Sequence, residues 1–449
     1  MTSIINKAAR ITPSPRQLAW QELELTCFIH FGEAEAADPH QWAQVAHEGG
    51  MKMVVLTCKH HAGYCQWPTE TTENSVRKSP WKDGQGDVVG ELAEACKKFG
   101  LKLGIYISPW DFHDPSYSTP AYNDVFKAQI RELLTWYGEV GEVWFDGHYG
   151  GPDGKMQDYD WNGYYDLIRE LQPNAVIAIC GPDVRWVGNE SGFARESEWS
   201  VLSSGAFDRG RIKDNFADFD RMEPDLGSRE QLEGAEDLVW YPSEVDVSIR
   251  PSWGYTPKED LKVKSLRDLL DIYYWSVGRN SVLLLNLTPT AATGRIPDQD
   301  VARLMEWRAV LDATYEANLA LGAKVSASEV RNNDATYGAD KTVDGERDTY
   351  WSPEEGTTEA TLEFDLGDPK TFNRLMLQEN IRDEGQRIEA YVLEGWHEGE
   401  WREIAEGTTV GYKWLLRFGT VTVDKVRLRI TKSRLCPTLQ AFGLFLAPE

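Results

Sequence analysis

Carboxylates, imidazoles and indoles recur in this chain just beyond short apolar runs, where a strand would hand a side chain to solvent. In "GEVWFDGHYGG" (141–151), Val143, Trp144 and Phe145 run straight into Asp146, then Gly147 and His148. His30 ends "TCFIH", and His60, His61 and Trp67 follow "MKMVVLTC". Trp110, Asp111 and His113 follow "LKLGIYIS". Asp183, Arg185, Trp186 and Glu190 follow "AVIAIC", and Glu198 and Trp199 sit in "EWSV". Glu244, Asp246, Arg250 and Trp253 lie in "WYPSEVDVSIRPSWGY", and Asn286 closes the last run. Taken singly, each has a plain structural reading, such as an aspartate capping the next helix. Together at one mouth they would suit a neutral, polyhydroxylated ligand.

Two chemistries fit such a set. Metal-assisted hydrolysis needs several imidazoles on one ion. Its usual sign at a first strand is His-x-His, and only one histidine stands there. His60 and His61 are adjacent, and adjacent strand residues point to opposite faces. Glycoside hydrolysis needs two carboxyls across the scissile bond and aromatic walls. Asp146 and Glu190 are such a pair, and 18 tryptophans supply walls.

The elements that must position these residues are legible as a pattern. Between Thr26 and about Pro289, eight apolar runs alternate with stretches that repeat at three and four, such as Val88, Val89, Leu92, Cys96 and Phe99. Continuous apolar runs suit parallel strands covered on both faces. The runs and helices predict a (β/α)8 TIM-like barrel, whose chemistry sits at the C-terminal strand ends. "EWSV" (198–201) is taken as its sixth strand, followed by a long polar loop at 202–237. No GxGxxG follows a strand, which argues against a dinucleotide fold. After a helix near 298–318 come short alternating runs such as "ATLEFDLG" and "KVRLRIT", predicting an antiparallel β-sandwich. The domains are thus 1–320 and 321–449.

The chain has 449 residues and a net charge of −25, which disfavours nucleic acid and anionic membranes as partners. Six scattered cysteines with no CxxC pair read as reduced thiols. No signal-like N-terminus or 18-residue apolar run is present, so a cytoplasmic location is expected.

"FIHFG", "KHHAGYCQWP", "SPWDFHDPSY", "EVWFDG", "NAVIAICGPDVRWVGNE" and "EVDVSIRPSWGY" together resemble the α-L-fucosidases of glycoside hydrolase family 29. The resemblance is to the bacterial subgroup that prefers fucose on α-1,3 and α-1,4 linkages beside a branching galactose. It implies a retaining enzyme acting on fucosylated oligosaccharides without a cofactor or catalytic metal. Asp146 would be the nucleophile and Glu190 the acid/base. The family's fucose contacts fall on His30, His60, His61, Trp67, Trp110 and Trp253, with Arg250 in support. Retention implies carboxyls about 5–5.5 Å apart. Two features depart from the family. An insert bearing a Glu-Trp pair is missing after Gly32, and Gln41-Trp42 belongs to the next helix rather than replacing it. Ala62 stands where an aspartate is usual. A glycan-binding protein that no longer cleaves is the alternative that the shortened loop leaves open. The tail resembles the discoidin-like (factor 5/8 C-type) carbohydrate-binding sandwich. Such modules often hold a structural calcium, here near Asp340, Asp344 and Asp348. Such a sandwich could bind a second glycan; with so short a linker it is expected instead to brace the barrel and lend a loop, 378–387, to its mouth.

Overall fold

A computed structural model describes residues 3–33, 36–146, 156–204 and 223–448. Two short N-terminal helices, α1 (Ile4–Ala8) and α2 (Pro15–Gln21), precede strand β1 (Leu25–Ile29). The chain then alternates: α3 (Pro39–Glu48), β2 (Met53–Lys59), α4 (Val88–Phe99), β3 (Lys102–Ile107), α5 (Ala121–Trp136), β4 (Val140–Phe145), α6 (Trp161–Leu171) and β5 (Val176–Ile179). Three helix starts are fixed by aspartate caps. Asp38, Asp87 and Asp160 accept backbone N–H groups of the first turns of α3, α4 and α6.

The sixth barrel strand differs from the expectation. It is β6, only Arg185–Trp186, reached directly from β5 without a helix. "EWSV" instead leads into β7 (Val201–Ser203), which pairs antiparallel with β8 (Leu238–Trp240) off the barrel. A tight turn at residues 180–183 allows this, with Ile179 at φ +67° and its N–H bonded to Val184 O at 3.0 Å. Strands β9 (Ser243–Ser248) and β10 (Val282–Leu287) complete the ring; α7 (Arg229–Leu232) precedes β8, α8 (Leu266–Trp275) lies between β9 and β10, and α9 (Asp298–Tyr315) follows. The parallel order is β5-β4-β3-β2-β1-β10-β9-β6, and a parallel bridge from Ala178 to Val184 joins the two ends.

Strand residues alternate between two cores. Val54, Leu56, Ile105, Val143, Ile177 and Leu285 face the helices. Phe28, Met53, Val55, Tyr106, Trp144, Ala178 and Leu284 fill the barrel, and Trp20 of α2 packs with them. Among these apolar groups lie two fully buried carboxyls. Trp20 Nε1 donates to Glu142 at 3.4 Å and Trp144 Nε1 to Glu244 at 2.7 Å. Burial pushes both acids above the usual carboxylate range, and they interact with each other. Acids raised in this way take up protons on folding. Their contribution is intact below the unfolded value of about 4.3 and is lost as pH rises toward the folded value. Glu142→Gln should therefore flatten the decline of Tm on the alkaline side, as measured by scanning calorimetry at stepped pH, whereas a slope identical to wild type would remove this pair from the stability balance.

The C-terminal sheet is antiparallel, with β11 (Lys324–Ala327), β12 (Ala360–Gln378), β13 (Ile388–His397), β14 (Glu400–Gly407), β15 (Trp414–Ser433) and β16 (Ala441–Phe445). The long strands β12 and β15 break register between Asp365 and Lys370 and between Phe372 and Arg374. Their inner residues enclose a separate core, where Phe364 and Phe442 stack at 3.9 Å. The expected brace is present in the loop after β12. Gln386 accepts Ser200 N at 2.8 Å and donates to Glu198 O at 2.9 Å, while Arg387 donates to Ala9 O at 3.1 Å. Arg434 lies 3.4 Å over the Trp199 ring. In the acidic turn, Asp344 accepts Glu346 N and the Thr349 hydroxyl, and Asp348 pairs with Arg382.

Candidate active site

The floor of the site is built from the inward residues at the strand ends. Asn286 of β10 fixes two walls at once. Its Oδ1 accepts His30 N at 3.2 Å and faces His30 Nδ1 at 2.9 Å, and its amide donates to Trp253 O and Ser248 Oγ, both at 2.9 Å. The amide oxygen assigns the proton to Nδ1 of His30 and leaves Nε2 as an acceptor. Desolvation lowers His30 to about 3, so it is a neutral imidazole at working pH.

Asp146 stands beyond the tip of β4, with its side chain about a quarter exposed. Tyr106 of β3 donates its hydroxyl to Asp146 Oδ2 at 2.6 Å, and His61 Nε2 lies 3.6 Å from the same oxygen. Burial and the Asp146 charge push the Tyr106 phenol far up, so it remains a donor. Tyr106 also stacks on His60 at 5.6 Å and on Trp144 at 5.1 Å. Nothing in the sequence singles it out, because it lies inside an apolar run buried on both faces. Removing only its hydroxyl, in Tyr106→Phe, should lower kcat/KM about 10–100-fold, the worth of one hydrogen bond to a charged group. A steady-state assay showing no loss would exclude that bond from catalysis.

His60 and His61 do share a face, contrary to the expectation from strand alternation. The strand ends at Lys59, the backbone turns, and the two rings lie 4.1 Å apart. With Asp146 they place three ligand-type atoms within 4.8 Å of one another. Desolvation lowers His60 against the pull of Asp146. Trp110 packs on His61 at 4.5 Å. Its loop is pinned by buried Lys59, which donates to Asp111 at 3.1 Å, Tyr122 at 3.1 Å and Gln129 at 2.9 Å.

Glu190 lies just past β6, exposed, and its Oε2 accepts Trp253 Nε1 at 3.1 Å. It is therefore a residue of the sixth strand's tip rather than the fifth's. The Trp253 ring packs on His30 at 5.0 Å, and His30 faces His60 at 6.0 Å. A continuous wall of rings thus runs from Glu190 to Asp146.

Two expected substrate contacts are not at the mouth. Trp67 is fully buried between barrel and helices, with its N–H on Glu132 of α5 at 2.7 Å. Arg250 is buried and forked onto Asp300 of α9 at 2.7 and 2.8 Å, with Asp260 at 3.0 Å. Its charge needs those partners, and losing one would cost about 3–5 kcal/mol; it anchors the loop that carries Trp253. Arg185 likewise points away, bonded to Glu198 and to Tyr241 O. Gln41 and Trp42 are buried on α3, holding Ile296 and Gly294, so they do not stand in for the absent insert. Gly147 and His148 lie outside the described residues, as does much of the loop at 202–237.

Comparison with known proteins agrees with this geometry. Residues 15–316 match the alpha-L-fucosidase family and residues 324–439 the F5/8 type C domain. Alpha-L-fucosidase 1 of Arabidopsis thaliana is 39% identical over 97% of this chain and 87% of its own length. Among solved structures, a glycoside hydrolase 29 family member from a rumen bacterium superposes with a TM-score of 0.80 at 34% identity, over 98% of this chain and 78% of that one. A family 29 fucosidase of Ruminococcus gnavus in complex with fucose gives 0.86 at 28% identity, over 98% and 96%. With the barrel, the ring-lined mouth and its two acids in place, this chain belongs to the α-L-fucosidases of glycoside hydrolase family 29 and carries a C-terminal F5/8 type C domain.

Proposed function

We propose that this chain is a retaining, exo-acting α-L-fucosidase that removes terminal α-1,3/1,4-linked fucose from oligosaccharides or glycoconjugates. Asp146 attacks the anomeric carbon as the glycosidic C–O bond breaks, and Glu190 gives its proton to the leaving oxygen. Glu190 then takes a proton from water, whose oxygen displaces Asp146 and frees the sugar. His30, His60, His61, Trp110 and Trp253 form the fucose subsite; Trp67 and Arg250 hold it from behind. The observation that carries this reading is the ring wall that joins the two acids, Glu190–Trp253–His30–His60, with His60 close to Asp146.

His60, His61 and Asp146 are close enough together to share an ion, so the assay is run with and without EDTA. Hydrolysis of fucosylated oligosaccharides with α-fucose as the first product by proton NMR, unchanged by the chelator, supports the proposal. First-formed β-fucose, chelator-sensitive turnover, or sugar binding by calorimetry without turnover sinks it. In the sandwich, Asp348 pairs with Arg382 and Asp340 with Lys341, so a structural calcium at Asp340, Asp344 and Asp348 would have to displace both cations. A Tm lowered by EGTA is its sign. We place the division between barrel and sandwich near residue 320. No described helix is long and apolar enough to cross a membrane.

A further inference from the structure

Ser108, the first residue of "SPWDFH", stands at the tip of β3 beside His61. It is fully buried, and its N–H donates to Lys59 O at 2.8 Å, so the main chain fixes its place between the tips of β2 and β3. Its Oγ lies 2.7 Å from His61 Nδ1, 2.9 Å from Trp110 O and 3.1 Å from Trp110 N. A serine hydroxyl has one proton and two lone pairs. Trp110 O can only accept, so it takes the proton. Trp110 N–H can only donate, so it occupies one lone pair. The second lone pair meets His61 Nδ1, and that bond forms only if the nitrogen carries a proton. The same loop holds His61 from other sides: Phe112 N donates to His61 O at 2.8 Å, and the Trp110 ring packs on the imidazole.

We propose that Ser108 is a positioning residue that sets the tautomer of His61, with the proton on Nδ1 and a lone pair on Nε2, so that His61 receives the sugar's C2 hydroxyl. Nε2 lies 3.6 Å from Asp146 Oδ2, longer than a hydrogen bond, and that oxygen already accepts the Tyr106 hydroxyl at 2.6 Å. The opposite tautomer would turn an N–H toward Asp146 and draw off the charge that attacks. Asn286 gives His30 the same tautomer from β10. Imidazoles from β1 and β2 thus both present acceptors to the mouth, and the subsite takes hydroxyls as proton donors. The choice of hydroxyl rests on Asp146 being the nucleophile: the one beside the reacting carbon is on C2. As positive charge develops on the anomeric carbon, that hydroxyl becomes a stronger donor, so its bond to His61 tightens in the transition state. Ser108 thus acts on the reaction through His61 without touching the sugar.

The tautomer is read by long-range proton–nitrogen NMR of protein labelled with nitrogen-15 histidine, which needs no turnover. Among the eight histidines, the His61 signals are those lost in His61→Gln. Wild type should show His61 protonated on Nδ1 and bare on Nε2. In Ser108→Ala the proton should move to Nε2, where Asp146 accepts it. The kinetic arm compares an aryl α-L-fucoside with its 2-deoxy and 4-deoxy counterparts. Ser108→Ala should lower kcat/KM on the parent and on the 4-deoxy substrate about tenfold or more, and on the 2-deoxy substrate less than about threefold. A purely structural loss would slow all three alike. A wild-type His61 protonated on Nε2, an unchanged tautomer in folded Ser108→Ala, or equal slowing of the parent and 2-deoxy substrates overturns the proposal. A wild type that cleaves no fucoside sinks the fucosidase reading instead, and the spectra still decide whether Ser108 sets the tautomer.

Discussion

Asp146→Ala should lower kcat on both an aryl α-L-fucoside and a fucosylated oligosaccharide by about 10⁴-fold or more, the scale seen when a covalent nucleophile is removed. The loss should be independent of the leaving group, because no glycosyl–enzyme bond can form with any substrate. Folding should be little affected. Asp146 is partly exposed, and its deletion leaves Tyr106 beside an open mouth rather than a sealed cavity. Added azide, small enough to occupy the vacated space, should restore turnover of the aryl substrate and yield the β-fucosyl azide. Residual activity within tenfold of wild type would move the nucleophile elsewhere.

Glu190→Ala should separate the two substrates. A sugar leaving group needs its proton, so hydrolysis of the oligosaccharide should fall about 10²–10⁴-fold. An aryl group with a low-pKa phenol leaves unaided, and its release should be nearly as fast as in wild type. The fucosyl-enzyme would then accumulate, because the base that activates water is also missing. Stopped-flow assays should show a burst followed by a slow steady state. Azide should accelerate that slow phase and give the α-fucosyl azide, the opposite anomer from the Asp146 variant. Equal losses on both substrates, without a burst, would contradict the assignment.

The parts of this site that were legible in the sequence are those where a long apolar run ends abruptly. Strands β1, β2, β3, β4 and β10 fall where their apolar runs predict, and His30, His60 and Asp146 come at the tips of β1, β2 and β4. What failed has physical reasons. A two-residue strand such as Arg185–Trp186 leaves no periodic trace, whereas "EWSV" looks like a strand and is not one of the barrel. Direction was also hidden. Trp67 and Trp253 both sit in polar motifs, yet one turns into the barrel–helix core and the other lines the mouth. A run buried on both faces does not say which side is the barrel interior, so Tyr106 looked like any core residue. Glu142 sits in an apolar strand pattern, and nothing in its neighbours announces the indole N–H of Trp20 that donates to its buried carboxyl. The adjacent pair His60–His61 was judged by strand geometry, but the strand stops one residue earlier.

The central claim is that the carboxylate of Asp146 forms a bond to fucose during turnover. The direct measurement is trapping. Wild-type protein is incubated with 2-deoxy-2-fluoro-fucosyl fluoride, whose fluorine slows the second step more than the first, then digested and sequenced by tandem mass spectrometry. The expected result is a single fluorofucosyl adduct on Asp146, absent from Asp146→Ala. An adduct on another residue, or full turnover of fucosides with no residue labelled, would contradict it.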